Sequence, residues 1–202
     1  DPEIRAREGF PWAQSTKYRA SFLQAPFLRD FPAEEYVNAR YQTTLAAASV
    51  LPQTASREKR MREMMRLNLD WFMQTLLDRK DRMSMYSGLE VRVPFCDYRI
   101  AEYLYAVPWE MKDYQGKEKG LLRMAMRGLL PSEVLWRKKS PYPKVHHPAY
   151  LRAVRERLAA LLADPDSPVL KIARKDALET LLTSETQTPW YGQLMTTPQT
   201  IA

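Results

Sequence analysis

Two groups of basic side chains frame one stretch of this chain: Lys117 and Lys119 first, then Arg137, Lys138 and Lys139, with Lys139 following Lys119 by 20 residues. Ammonium groups screen the negative charge that develops during phosphoryl or nucleotidyl transfer. They also hold phosphate oxygens through charge-assisted hydrogen bonds. Directly after Lys139 comes Ser140-Pro141-Tyr142-Pro143-Lys144-Val145-His146-His147-Pro148, with three prolines in nine residues. That segment has no amphipathic period and reads as a loop, suited to ordering over a bound nucleotide. On the residues alone, solvated surface lysines are favoured over a phosphate site.

A second concentration of charge lies between Leu76 and Asp97. Asp81 and Arg82 sit near one helical turn beyond Asp78 and Arg79. Glu90 and Arg92 are two apart in an extended piece, so both point to one face. A structural salt-bridge network and a buried pair are the plain readings. The functional one is a wall of an amino-acid and ammonia site. There, an acidic group takes a proton from an attacking amine and an arginine holds a carboxylate bidentately.

Other chemistries find less support. His146 and His147 are adjacent but lack further ligands at suitable spacing, so no metal site is expected. Cys96 follows Phe95 in an apolar plug and reads as core. No glycine-flanked serine or cysteine suggests a covalent nucleophile. The six glycines are dispersed, which excludes a Gly-rich phosphate cradle. The formal charge is +7, but 31 basic residues are mixed with 24 acidic ones, the pattern of a solvated surface and not of a nucleic-acid platform. No apolar run approaches the roughly 20 residues of a membrane span, and there is no secretory signal. A single cysteine fits a reducing, cytoplasmic setting.

The elements that must position these residues are helical. A short helix capped by Thr16 runs to Leu23, and a clear one covers Ala33 to Val50, stopped by Pro52. The longest starts at Ser56, with Met61, Met65, Leu69, Phe72 and Leu76 as a stripe that implies burial among several helices. Gly88 breaks it, and Glu90 to Phe95 is the one strand-like piece. Asp97 caps the next helix, with Ile100, Tyr103, Leu104 and Val107 inward and Pro108 at its end. Trp109 to Gly116 reads as a connector. A helix over Lys117 to Leu129 buries Leu122, Ala125, Met126 and Leu129, and Pro131 starts a short turn of helix to Arg137. Further helices cover Ala149 to Ala163 and Arg174 to Thr183, and the last twenty residues are mixed. The whole reads as an all-α helical bundle.

Several of these segments resemble one family. Asp81-Arg82-Met83-Ser84-Met85, Gly88-Leu89-Glu90-Val91-Arg92-Val93-Pro94-Phe95 and Cys96-Asp97 resemble a signature of the glutamine-hydrolysing asparagine synthetases, in their C-terminal synthetase domain. The likeness extends through Gly116-Lys117-Glu118-Lys119-Gly120-Leu121-Leu122-Arg123 and Leu130-Pro131 to Trp136-Arg137-Lys138-Lys139-Ser140-Pro141. Phe10-Pro11-Trp12 and Pro189-Trp190-Tyr191-Gly192-Gln193-Leu194-Met195 also look like family segments. Residues 1–202 are then the helical half of an α/β adenine-nucleotide α-hydrolase-like synthetase domain.

The resemblance implies an ATP-dependent amidation. Aspartate is adenylated, pyrophosphate leaves, and glutamine-derived ammonia gives asparagine. It reverses the reading of the basic cluster: family lysines at the positions of Lys119 and Lys139 lie close to the phosphates of the adenylate and of pyrophosphate. It supports Asp81, Arg82, Glu90 and Arg92 at the synthetase site without assigning each a role. ATP with Mg2+ is the implied cofactor, bound mainly by an upstream half. The family's pyrophosphate loop, Ser-Gly-Gly-x-Asp-Ser, does not occur in these 202 residues, nor does the N-terminal glutaminase domain with its cysteine nucleophile. The chain starts at Asp1 and stops in an unfinished helical pattern, so a fragment without activity of its own is expected. Family members are often dimers, chiefly through the glutaminase domain. Two alternatives stay open: a related synthetase with another carboxylate acceptor, and a non-catalytic helical interaction module.

Overall fold

The computed structural model describes residues 9–140, 147–185, 187–190 and 193–201. Its helices are α1 (Lys17–Ala20), α2 (Ala25–Asp30), α3 (Ala33–Ala46), α4 (Ser56–Leu67), α5 (Gln74–Tyr86), α6 (Tyr98–Ala106), α7 (Trp109–Lys112), α8 (Gly120–Ala125), α9 (Ser132–Leu135), α10 (Pro148–Ala163), α11 (Lys175–Thr183) and α12 (Thr197–Ile201). Two strands, β1 (Gln187–Trp190) and β2 (Gln193–Thr196), pair antiparallel with Gln187 opposite Thr196 and Trp190 opposite Gln193. The chain divides into two compact units. One joins residues 1–41 to 142–202; the other is residues 42–141.

The first unit has its core where α10 meets α11. Leu158, Leu162 and Leu181 are buried there, with Phe22, Leu170, Leu178 and Ile201 packed around them. The N-terminal segment is tied to this core by backbone. Gln24 N donates to Ile172 O at 2.8 Å and Arg174 N to Phe22 O at 2.7 Å, around a bridge between Leu23 and Ala173. Thr16 stands at the start of α1 but does not cap it. Its hydroxyl donates to Glu34 Oε1 at 2.9 Å, as Ser15 Oγ does at 2.8 Å, so one carboxylate at the start of α3 gathers the turn before α1.

The second unit carries the candidate site. Its spine is continuous from Ser56 to Tyr86: α4, a π-helical stretch at Asn68–Met73, then α5. Asn68 Nδ2 donates to Met64 O at 2.7 Å and Thr75 Oγ1 to Trp71 O at 2.6 Å, side-chain bonds that accompany the widened ladder. Ser56 is the first helical residue and not the cap; Ala55 holds the cap position. The other end closes as the sequence suggests. Gly88 takes φ +69°, Leu89 N donates back to Ser84 O at 2.9 Å, and Gly88 N to Met85 O at 2.9 Å, the bond pair of a Schellman stop. Leu67 is fully buried and Trp71 Nε1 donates to Thr44 Oγ1 at 3.0 Å, which holds the spine against the end of α3.

Glu58 and Arg62 join the spine to the next helices. Their side chains pair at 2.9 Å. Glu58 Oε2 accepts from Trp109 N at 2.8 Å, satisfying a free amide at the start of α7, and Arg62 Nη1 donates to Tyr105 O at 3.0 Å. The segment read as a connector is therefore partly helical, because Glu58 supplies the partner that its first turn lacks.

Asp97 caps α6 as its position suggests, accepting from Arg99 N at 2.9 Å. The Arg99 guanidinium, donating to the same carboxylate, and then the Arg99 amide hold its carboxyl below the usual range. A depressed carboxyl contributes stability above the unfolded value, lost as pH falls through the folded one. Asp97→Ala is therefore expected to lower the thermal midpoint at pH 7, with the gap to wild type closing below about pH 4. Calorimetry of both proteins from pH 7 to pH 3 checks this; a gap that persists in acid contradicts it.

Three expectations fail. Glu90 to Phe95 forms no strand; it is extended without a partner and passes into a single 3₁₀ turn at Pro94–Cys96. The paired strands among the described residues fall in the C-terminal stretch instead. The helix expected over Lys117 to Leu129 is only Gly120–Ala125, because Lys119 is left-handed at φ +58° and cannot start it sooner. Leu122, Ala125 and Leu129, expected inside, are exposed, as are Ile100 and Tyr103. The Met61, Met65, Leu69, Phe72 and Leu76 stripe is half-buried. Helical periodicity tells which side of a helix is apolar, not what covers it. Among the described residues no helix is long and apolar enough to cross a membrane.

Candidate active site

The site begins with a tight loop before α8. Gly116 N donates to Asp113 O at 2.8 Å, Lys117 N to Tyr114 O at 3.2 Å, and Gly120 N to Lys117 O at 2.9 Å. Gln115 (φ +57°), Gly116 (+64°) and Lys119 (+58°) are all left-handed. The loop closes because Gly120 is buried with its α-carbon against the backbone of Tyr114. A methyl group there would lie 2.5 Å from the Tyr114 nitrogen. Lys117 and Lys119 are thus presented by a backbone with little freedom to shift.

On the other side, α9 ends at Leu135, Trp136 forms its C-terminal turn, and the chain continues to Lys139 without regular secondary structure. Arg123, on α8, holds the two segments. Its Nε donates to Glu118 O at 2.7 Å, Nη1 to Leu135 O, and Nη2 to Arg137 O at 3.2 Å. The guanidinium carbon lies 6.0 Å from the centre of the Trp136 ring, within cation–π range.

Between these segments is a cavity of about 660 Å³, lined by Lys117, Lys138 and Lys139 with Arg123, Trp136, Gly116 and Glu118. Three ammonium groups and a guanidinium against one carboxylate make it a site for a polyanion, with an aromatic wall at Trp136. It has no nucleophile, so its chemistry is charge stabilisation, the contribution that dominates phosphoryl transfer.

A second cavity, of about 870 Å³, is mainly apolar. Phe95, Ile100, Leu104, Leu121 and Leu122 line it, with Arg99, Lys112 and Lys119 as its cations. Lys112 is the most constrained of these. Its Nζ donates to Leu104 O at 2.8 Å, lies 2.9 Å from Met65 Sδ, and stands 5.9 Å from the Trp109 ring centre. Burial pushes its ammonium below the usual lysine range; Glu58 opposes this and Arg62 adds to it.

The expected site residues are therefore distributed. Lys139 and Lys117 both line the basic cavity, while Lys119 lines the apolar one. Asp81, Arg82, Glu90 and Arg92 line neither cavity. Arg82 Nε pairs with Asp78 Oδ1 at 2.8 Å, and that carboxylate's hydrogen bond raises the guanidinium further; both side chains are exposed. Glu90 and Arg92 pair at 2.7 Å, as their spacing suggests, but in the open, where such pairs contribute at most about 1 kcal/mol. The buried pair is not found. His147 Nδ1 accepts from Ala149 N at 3.2 Å as the cap of α10; His146 and the Pro141 to His146 part of the expected lid lie outside the described residues. Cys96 is half-buried, its Sγ 3.2 Å from Met73 Sδ. The roles of Arg123 and Trp136 were missed. The only signal available was an arginine and a tryptophan lying between the two lysine groups.

The asparagine synthase family profile matches residues 1–201. Asparagine synthetase [glutamine-hydrolyzing] 3 of Bacillus subtilis (strain 168) is 47% identical over 197 residues, 96% of this chain and 32% of that protein. Asparagine synthetase [glutamine-hydrolyzing] 1 of the same organism is 40% identical over 73 residues, 36% of this chain and 12% of that protein. The human asparagine synthetase [glutamine-hydrolyzing] is 40% identical over 90 residues, 43% of this chain and 16% of that protein. The chain spans no more than 32% of the length of these relatives. On the match over nearly its full length, the chain belongs to the asparagine synthase family.

Proposed function

We propose that the chain is the helical part of an ATP-dependent asparagine synthetase. In the full reaction the β-carboxylate oxygen of aspartate attacks the α-phosphorus of ATP and pyrophosphate leaves. Ammonia released from glutamine then attacks the acyl carbon of the adenylate, AMP departs, and one proton is lost. The observation that supports the reading is the basic cavity: Lys117, Lys138 and Lys139 line it together, a set of cations of the kind a leaving pyrophosphate needs. Lys139 is the proposed transition-state stabiliser. Lys119 is proposed for the same phosphates from the neighbouring cavity, on the family resemblance. Asp81, Arg82, Glu90 and Arg92 enter as an exposed charged rim of the amino-acid site, also on that resemblance alone.

The donor set fits the triphosphate of ATP but not its metal. Glu118 is the one carboxylate lining the basic cavity, too few hard oxygen ligands for Mg2+. The ligands of the metal would belong to the proposed nucleotide-binding half. That half would pack on the apolar face left by Phe95, Ile100, Tyr103 and Leu122. The proposal extends to a glutaminase domain in the same polypeptide, a dimer of the whole protein and a cytoplasmic location.

The test uses the full-length parent protein with aspartate, ATP, Mg2+ and glutamine. The expected result is equimolar asparagine, AMP and pyrophosphate, with no pyrophosphate from the 202-residue chain alone. Pyrophosphate release with another carboxylate but not aspartate changes the acceptor. Silence with every carboxylate favours an interaction module built on the apolar face. Turnover by the 202 residues alone, abolished by Lys139→Ala, overturns the incomplete-site claim.

A further inference from the structure

We propose that Arg123 is a positioning residue for the phosphate cavity, setting the distance between the Lys117 loop and the Lys138–Lys139 segment. The inference rests on the reading of that cavity as the pyrophosphate site. Its basis is geometric. One guanidinium donates to three main-chain carbonyls, Glu118 O on one side and Leu135 O and Arg137 O on the other. The first carbonyl lies one residue after Lys117, the last one residue before Lys138. No other side chain described at the cavity bridges both segments through more than one bond. The guanidinium carbon is also 6.0 Å from the centre of the Trp136 ring, a cation–π contact on the same side of the cavity.

Lysine cannot replace it. A compact ammonium on a flexible stem reaches one or two of these carbonyls and leaves the segments free to separate. The described partners of Arg123 are neutral carbonyls, so its charge also adds to the field of the cavity. Arg123 lines the cavity itself, and its three carbonyl bonds give it a further part, the placement of the segments that carry the lysines.

The test measures pyrophosphate affinity of the full-length protein by calorimetry, alongside aspartate-dependent turnover, for wild type, Arg123→Lys, Arg123→Gln, Lys139→Ala and Arg123→Lys with Lys139→Ala. Arg123→Lys keeps the charge and removes the fork; it is expected to weaken pyrophosphate binding about 10-fold and to lower kcat more than it changes KM for aspartate. The double variant is expected to lose less affinity than the product of the two single losses, because part of the effect of the fork passes through Lys139 and the rest through Lys117 and Lys138. Circular dichroism and the thermal midpoint identify folded variants, and Arg123→Gln serves if the lysine variant does not fold. Wild-type affinity in folded Arg123→Lys, or losses that multiply fully in the double variant, overturn the inference and leave the synthetase reading standing. Pyrophosphate binding that depends on Arg123 without turnover on aspartate overturns the synthetase reading and supports the inference. Wild-type protein that binds no pyrophosphate overturns both.

Discussion

On the proposed synthetase function, replacing Lys139 by alanine in the full-length protein is expected to lower aspartate-dependent pyrophosphate release by about 100-fold or more, roughly 2.7 kcal/mol of transition-state stabilisation. The size follows from where charge develops. Pyrophosphate carries more negative charge as it leaves than it does within ATP, so an ammonium beside it acts more strongly on the transition state than on the bound substrate. The loss should therefore fall mainly on kcat, with KM for aspartate changed little. Lys139 is exposed where it lines the cavity, so the thermal midpoint should hold. A variant with wild-type turnover would make Lys139 a surface lysine and dismiss the cavity as the adenylation site.

Gly120→Ala is expected to lower stability by about 3 kcal/mol, the upper end of what overpacking costs. The added methyl would meet Tyr114 N at 2.5 Å, Tyr114 O at 2.7 Å and Tyr114 Cβ at 2.9 Å. Two of these are backbone atoms that no rotamer change can remove, so the Tyr114–Lys119 loop must move away from α8. Because that loop carries Lys117 and Lys119, pyrophosphate affinity should fall with stability. Gly128→Ala is the control. Its φ is +81° but nothing lies within 4 Å of a Cβ there, leaving only left-handed strain of about 1–2 kcal/mol and no effect on the cavity. Thermal unfolding and pyrophosphate titration of both variants check this. An unaltered affinity in folded Gly120→Ala would mean that the loop does not position the lysines.

Much of the local structure was legible because its causes are local. Gly88 ends the spine through its own left-handed backbone, Asp97 caps α6 with its own carboxylate, and Pro108 follows α6 closely, as the rigid ring requires. The helical character of the chain and the separation of the two lysine groups by a helix could be read the same way. The motifs at Asp81 to Asp97 and Gly116 to Pro141 carried the family likeness without any fold.

The remainder depended on partners distant in sequence. Strand pairing is a relation between two segments, so Gln187–Trp190 pairs with Gln193–Thr196 while Glu90 to Phe95, with an equally plausible composition, pairs with no described strand. Glu58 turns a connector into a helix start from 51 residues away. Amphipathic spacing marked the apolar sides of α6 and α8 but not their exposure, since burial is decided by whatever lies opposite. The lysines make the same point at the site. Sequence alone determined that two basic groups flank a helix. The tertiary structure decided that Lys117, not Lys119, lines one cavity with Lys139, because Lys119 is left-handed before a glycine that packs on Tyr114 and the Arg123 guanidinium bonds to carbonyls of both segments.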